Sequence, residues 1–166
     1  MKKYILYFLV KDNAGVLARV SALFGRRNYN IEGITASPTN RKGITRITIV
    51  VRGDEYILPQ VMSQIEKLEE TLEVHYIPAT KAYCKEVLFV KVKVDEDAEV
   101  NVRVVAALYN ARIIEEKTGH ITFELTDTPV RTDGFLNAMN KYEILEMCRS
   151  GITAISHGYD EDEEEQ

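Results

Sequence analysis

One order of elements, written twice, constrains this chain more than any other feature. Lys3 to Val10 is an apolar run of strand type, and Val16, Leu17, Val20, Leu23 and Phe24 then recur at helical spacing. Ile31 to Ser37 and Ile44 to Val51 read as two strands of a hairpin around the turn Pro38-Thr39-Asn40-Arg41-Lys42-Gly43. Gly53-Asp54 ends the second of them, and Pro59 fits the first turn of a helix whose buried stripe is Val61, Met62, Ile65 and Leu68. Glu73 to Ile77 closes the set.

Pro78 to Lys85 follows as a linker, and the order begins again. Glu86 to Val94 alternates, with Leu88, Val90, Val92 and Val94 on one face and Lys91 and Lys93 on the other. Val102 to Tyr109 is helical in spacing. Ala111 to Glu116 and His120 to Thr126 form a hairpin around Lys117-Thr118-Gly119, Asp133 to Tyr142 predicts a helix, and a last strand falls within Ile144 to Ile155. The expected fold is α+β, two ferredoxin-like βαββαβ domains in tandem with little identity between them. The expected division is a first domain over 1–78, a linker over 79–85, a second domain over 86–158 and an acidic tail over 159–166.

The formal net charge is −5, but six acidic residues stand together at Asp160 to Glu165. Without them, 20 acidic residues face 21 basic ones, so the body is nearly neutral and no nucleic-acid surface is expected. The tail predicts disorder, because like charges repel and nothing apolar anchors them. No run reaches the roughly 18 apolar residues of a membrane helix, and MKKYILYFLVKDN has no small-residue cleavage site. A cytoplasmic location without membrane attachment is therefore expected. Cys84 and Cys148 have no CxxC spacing and suit a reducing compartment.

A catalyst would need a nucleophile, base, metal cage or phosphate loop, and no GxSxG, GK[ST] or HExxH occurs. His75, His120 and His157 are isolated in sequence, and the pairs Glu69-Glu70 and Glu115-Glu116 are expected to be solvated. No catalytic residue, resident cofactor or metal ligand is expected. A ferredoxin-like sheet can read RNA through stacking aromatics beside basic residues on its central strands, and Tyr4, Tyr7 and Phe8 are expected to come without them.

The loop Asp12-Asn13-Ala14-Gly15 is different. A helix opening at Gly15 or Val16 directs unpaired N–H groups and the positive end of its dipole into the loop, which favours a carboxylate. Gly15 lacks a Cβ and lets a ligand approach the backbone. The plainer alternative is that Asp12 or Asn13 caps the helix. Both readings stand on these residues alone.

The longer phrase DNAGVLARVSALFGRRNYNIEGITASPT, continued by RITIVVRGDE, resembles the N-terminal ACT domain of the regulatory (small) subunit of acetolactate synthase. The family pattern Asn-x-Pro-Gly-Val-Leu-x-Arg-Val is matched by Gly15, Val16, Leu17, Arg19 and Val20, and the following Asn-Ile-Glu segment by Tyr29, Asn30, Ile31 and Glu32. VLFVKVKV, Ile113-Ile114 and CRSGITAISHG extend the resemblance to the acidic tail. Asp12, Ala14 and Gly33 depart from the usual Asn, Pro and Ser.

The resemblance implies a non-catalytic subunit that activates a catalytic large subunit and transmits feedback inhibition by a branched-chain amino acid, typically valine. Thiamine diphosphate, magnesium and FAD would belong to that partner. It also implies a homodimer through the ACT domains. Asp12, Asn13, Gly15, Val16 and Leu17 of one chain would form the first wall of an effector site, and Asn30 and Ile31 of the other chain the second. One alternative is a free-standing tandem ACT amino-acid sensor for another enzyme or a transcriptional circuit, which the resemblance of VLFVKVKV and CRSGITAISHG to the synthase subunit disfavours. Another is a small ferredoxin-like enzyme such as an acylphosphatase. That reading has only Arg19 and Asn30 to offer, with Arg19 expected to point away from the loop.

Overall fold

The computed structural model describes residues 2–26 and 29–157, without the side chain of Glu96. Among the described residues, those up to Tyr83 together with 152–157 form one compact unit, and Cys84–Gly151 form another.

In the first unit, strands β1 (Lys2–Lys11), β2 (Ile31–Pro38), β3 (Ile44–Gly53) and β4 (Thr71–Ile77) make one antiparallel sheet in the order β2-β3-β1-β4. Alternate residues of a strand share a face, so Tyr4, Leu6, Phe8 and Val10 of β1 and Ile47, Ile49 and Val51 of β3 line one side. Helices α1 (Val16–Gly25) and α2 (Ile57–Glu66) cover that side with Val16, Val20, Phe24, Val61 and Ile65. Pro59 lies in the first turn of α2, where its missing N–H costs nothing. Leu17, counted in the apolar stripe of α1 by its spacing, is 48% exposed instead. A last short strand, β9 (Thr153–Ser156), returns to this unit, where the His157 N–H donates to the Lys81 carbonyl at 2.7 Å.

The second unit repeats the plan, with β5 (Ala82–Lys93, which enters this unit at Cys84), β6 (Arg112–Lys117), β7 (His120–Asp127) and β8 (Ile144–Arg149) in the order β6-β7-β5-β8. Leu88, Val90 and Val92 of β5 and Ile121, Phe123 and Leu125 of β7 meet α3 (Glu96–Tyr109) and α4 (Pro129–Met139) in its core. Glu86 is buried, and both oxygens of its carboxylate accept from Arg149, which also reaches Asp133 at 2.9 Å. The two cysteines are free thiols.

Several boundaries differ from the sequence reading for local reasons. Residues 79–81, read as linker, form a 3₁₀ turn, and β5 already begins at Ala82. Helix α3 starts at Glu96 rather than Val102, because the Asp95 carboxylate accepts from the Ala98 N–H at 2.8 Å and caps it. Helix α4 starts at Pro129, whose fixed φ suits the first helical position, rather than at Asp133. The single strand expected within Ile144 to Ile155 is two, parted at Gly151, where φ is +80°. The acidic tail of residues 159–166 lies outside the described residues. Among the described residues no helix is long and apolar enough to cross a membrane.

Candidate functional site

Strand β1 ends at Lys11, and the next four residues turn the chain into α1. The Asp12 N–H donates to the Gly43 carbonyl at 2.8 Å and the Asn13 N–H to the Lys11 carbonyl at 2.8 Å, which pins the loop against the start of β3. Gly15 is the N-cap with φ +84° and ψ 0°, in the left-handed region that favours glycine. No side chain caps the helix. Of the first-turn amides, Val16 reaches the Asn13 carbonyl at 3.4 Å and Arg19 the Gly15 carbonyl at 3.1 Å. The amides of Leu17 and Ala18 are the ones left for an incoming acceptor.

The capping alternative therefore fails here: Asp12 and Asn13 are exposed, and their side chains make no cap. Leu17 stands exposed beside the loop. Val16 is 5% exposed and faces the core, so its contribution to a ligand is restricted to its backbone.

Arg19 is a correction. Its guanidinium lies beside Gly15, where an added Cβ would come within 3.3 Å of Nη1. The i, i+4 spacing from Gly15 carried that signal. It is not free for a phosphate, because it pairs with Glu70, whose side chain is 12% exposed. Glu70 is consequently held, not solvated as its pairing with Glu69 suggested.

Asn30 is exposed, and Ile31 packs partly against the first core. The register places both far from the loop. Ile31 lies opposite Val51, and Val51 opposite Tyr4, whereas the loop follows Lys11 at the other end of β1. Seven residues of strand separate them, about 23 Å at 3.3 Å per residue. One chain therefore does not bring the two predicted walls together. Strand β2, which carries Ile31 at one end and Pro38 at the other, is an edge of the sheet.

The histidines do not gather. His75 stacks on Tyr7 at 4.7 Å, His120 lies 3.5 Å from Glu115, and His157 meets Tyr83 at 3.9 Å. Among the described residues no three His, Cys, Asp or Glu side chains are grouped to hold a metal ion.

Comparison with known proteins places both halves of the chain in one context. Residues 6–73 match the model of the ACT domain of acetohydroxyacid synthase small subunit-like proteins, and residues 85–158 match that of the small subunit of acetolactate synthase. The acetolactate synthase small subunit of Mycolicibacterium smegmatis is 32% identical over 93% of this chain and 91% of its own length. The probable acetolactate synthase small subunit of Methanothermobacter thermautotrophicus is 33% identical over 93% of each. Among solved structures, the acetolactate synthase small subunit of Thermotoga maritima superimposes with a TM-score of 0.88 at 27% identity, over 96% of this chain and 99% of that one.

Proposed function

The chain belongs to the family of acetolactate synthase small subunits, and from that premise we propose that it activates a separate catalytic subunit and makes it subject to feedback inhibition by valine. The match of the second unit to the synthase subunit, and not to a second ACT loop, weighs against a free-standing sensor. In this reading the chain works in the cytoplasm, and thiamine diphosphate, magnesium and FAD are bound by the catalytic partner.

The observation that carries the reading is the separation of the two walls along one sheet with an open β2 edge. Pairing β2 antiparallel with β2 of a second copy is a two-fold arrangement that satisfies both edges. It sets the Ile31 end of one copy against the Pro38 end of the other. Pro38 is opposite Thr45, one residue from the Ile44 that faces Lys11, so the Asn30-Ile31 segment of one copy arrives near the Gly15 loop of the other. The effector carboxylate takes the Leu17 and Ala18 amides at the positive end of α1. Asp12 or Asn30 receives the ammonium, and Leu17 with Ile31 encloses the side chain. A ligand lodged between copies favours the assembly state that binds it better, and it controls the catalytic partner through that difference.

Complementation between copies tests this. Leu17→Asp puts a negative charge at the helix start, at an exposed position where an acid suits the dipole, and Asn30→Ala removes the second wall. Each variant alone breaks both sites of a dimer. A mixed dimer of the two keeps one intact site, and its valine binding returns at half stoichiometry. Mixed dimers that bind no better than either parent would place the effector within one chain.

A further inference from the structure

On the sheet face of the first unit turned away from α1 and α2, two neighbouring cross-strand rows are polar. Register sets Thr35, Thr48, Tyr7 and His75 abreast, and beside them Ser37, Arg46, Leu9 and Glu73. In the row beyond, Val50, Ile5 and Ile77 are buried and apolar. These rows, His75 excepted, line a cleft of about 440 Å³ together with Thr153, a size that suits a small organic molecule.

Arg46 lines this cleft. Its guanidinium carbon stands 3.6 Å from the Tyr7 ring centroid, and Nη2 donates to the Ala154 carbonyl at 2.7 Å. Neither partner is an anion. No carboxylate pairs with Arg46 among the described residues, because the one acid lining the cleft, Glu73, is engaged by Arg41 at 3.0 Å and by His75 at 3.3 Å. Against the raising effect of burial, the hydrogen bonds from Arg41 and His75 hold the Glu73 carboxyl below its ordinary range. Burial pushes the Arg46 guanidinium below its ordinary value, with the Tyr7 side chain opposing. A half-buried charge without a counter-ion is costly, and an anion that reaches it relieves that cost.

The charges lining the cleft, Arg41, Arg46 and Glu73, sum to one positive charge, which matches a monoanion. An α-amino acid fits less well, because its added ammonium makes it neutral overall, and the Glu73 carboxylate that could meet that ammonium already has a partner on each oxygen. Ser37 and Thr48 supply hydroxyls that both donate and accept, and the Thr35 hydroxyl, which donates to the Ile152 carbonyl at 3.3 Å, can still accept.

We propose that this cleft is a second small-molecule site, on the opposite face of the sheet from the Gly15 helix, which binds a small 2-oxo or 2-hydroxy monocarboxylate with its carboxylate on Arg46 and its second oxygen on the hydroxyl row. The assignment does not depend on where valine binds.

Titration calorimetry of the full chain with pyruvate, with acetate and valine as comparisons, tests it. Wild type binds pyruvate saturably and more tightly than acetate, and valine does not compete. Arg46→Gln weakens pyruvate by about tenfold or more, the scale of one charge-assisted hydrogen bond. Ser37→Ala, at an exposed edge-strand position, weakens it a few-fold without disturbing the fold, and decides the matter if Arg46→Gln melts early. Leu17→Asp leaves pyruvate affinity unchanged. Absence of saturable pyruvate binding, equal affinity for acetate, wild-type affinity in a folded Arg46→Gln or in Ser37→Ala, or competition by valine would each overturn the proposal.

Discussion

Replacing Gly15 by alanine perturbs backbone and site together, and the two effects can be sized separately. An L-residue in the left-handed region costs about 1–2 kcal/mol. The narrower unfolded ensemble of alanine returns roughly 0.4–1 kcal/mol. The new methyl would sit 3.3 Å from the Arg19 Nη1, the far end of a flexible side chain that can shift with little loss. A net destabilisation of about 1 kcal/mol follows, seen as a fall in melting temperature of roughly 2–8 °C depending on whether the first unit unfolds alone. The methyl also crowds the approach to the Leu17 and Ala18 amides. Losing one charge-assisted hydrogen bond weakens valine about tenfold or more. At a valine concentration one hundred times the wild-type dissociation constant, the ligand stabilises wild type by roughly 2.7 kcal/mol, and a tenfold weaker variant by about 1.4 kcal/mol. Thermal denaturation with and without valine reads both quantities. A Gly15→Ala protein that melts no lower than wild type and keeps the full valine shift would refute both the backbone argument and the cradle.

Arg149→Met leaves the Glu86 carboxylate buried without its bidentate partner, and chemical denaturation should show a loss of about 3–5 kcal/mol. Phe135→Ala empties a fully buried position of the second core and should cost about 3–5 kcal/mol by the same assay. The Asp127 carboxyl is held at about 2 against an ordinary 3.8 by a hydrogen bond from Lys85, with burial opposing and the Thr128 N–H and Arg131 assisting. A depressed folded pKa contributes stability above the unfolded value and loses it as pH falls from about 4 to about 2, so Asp127→Asn should flatten that limb of an acid-denaturation curve. Deletion of Tyr159 to Gln166 should leave melting temperature and activation unchanged, and a loss of partner affinity that low salt reverses would give the tail a docking role.

The parts of this fold that were readable in the sequence are those governed by neighbours along the chain. Tyr4, Leu6, Phe8 and Val10 alternate, and Val16, Val20 and Phe24 repeat at helical spacing, so β1, α1 and their shared core were legible. The Gly15 loop was legible as well, since Gly, a helix start and an apolar stripe are local signals. Leu17 was misplaced because helical spacing does not distinguish the rim of an apolar stripe from its centre. The Arg46 cleft had no local signal: Ser37, Arg46, Leu9 and Glu73 come from four strands and meet through a register that no single segment encodes. Nor did sequence indicate that residues 152–157 return to the first unit. That follows from contacts such as the Arg46 bond to the Ala154 carbonyl, made 108 residues apart.

The family was legible through the long phrase around Gly15 and Asn30, continued by VLFVKVKV and CRSGITAISHG, while among the described residues no grouping of side chains is set to hold a metal ion. Control of a partner's catalysis is read from a reconstituted rate. Acetolactate formation from pyruvate is measured with the catalytic subunit alone, with saturating amounts of this chain, and with both plus valine. This chain alone should show no turnover, the rate should rise when it joins the catalytic subunit, and that rate should fall on adding valine. A catalytic rate unchanged at saturating amounts of this chain, with or without valine, would contradict such control.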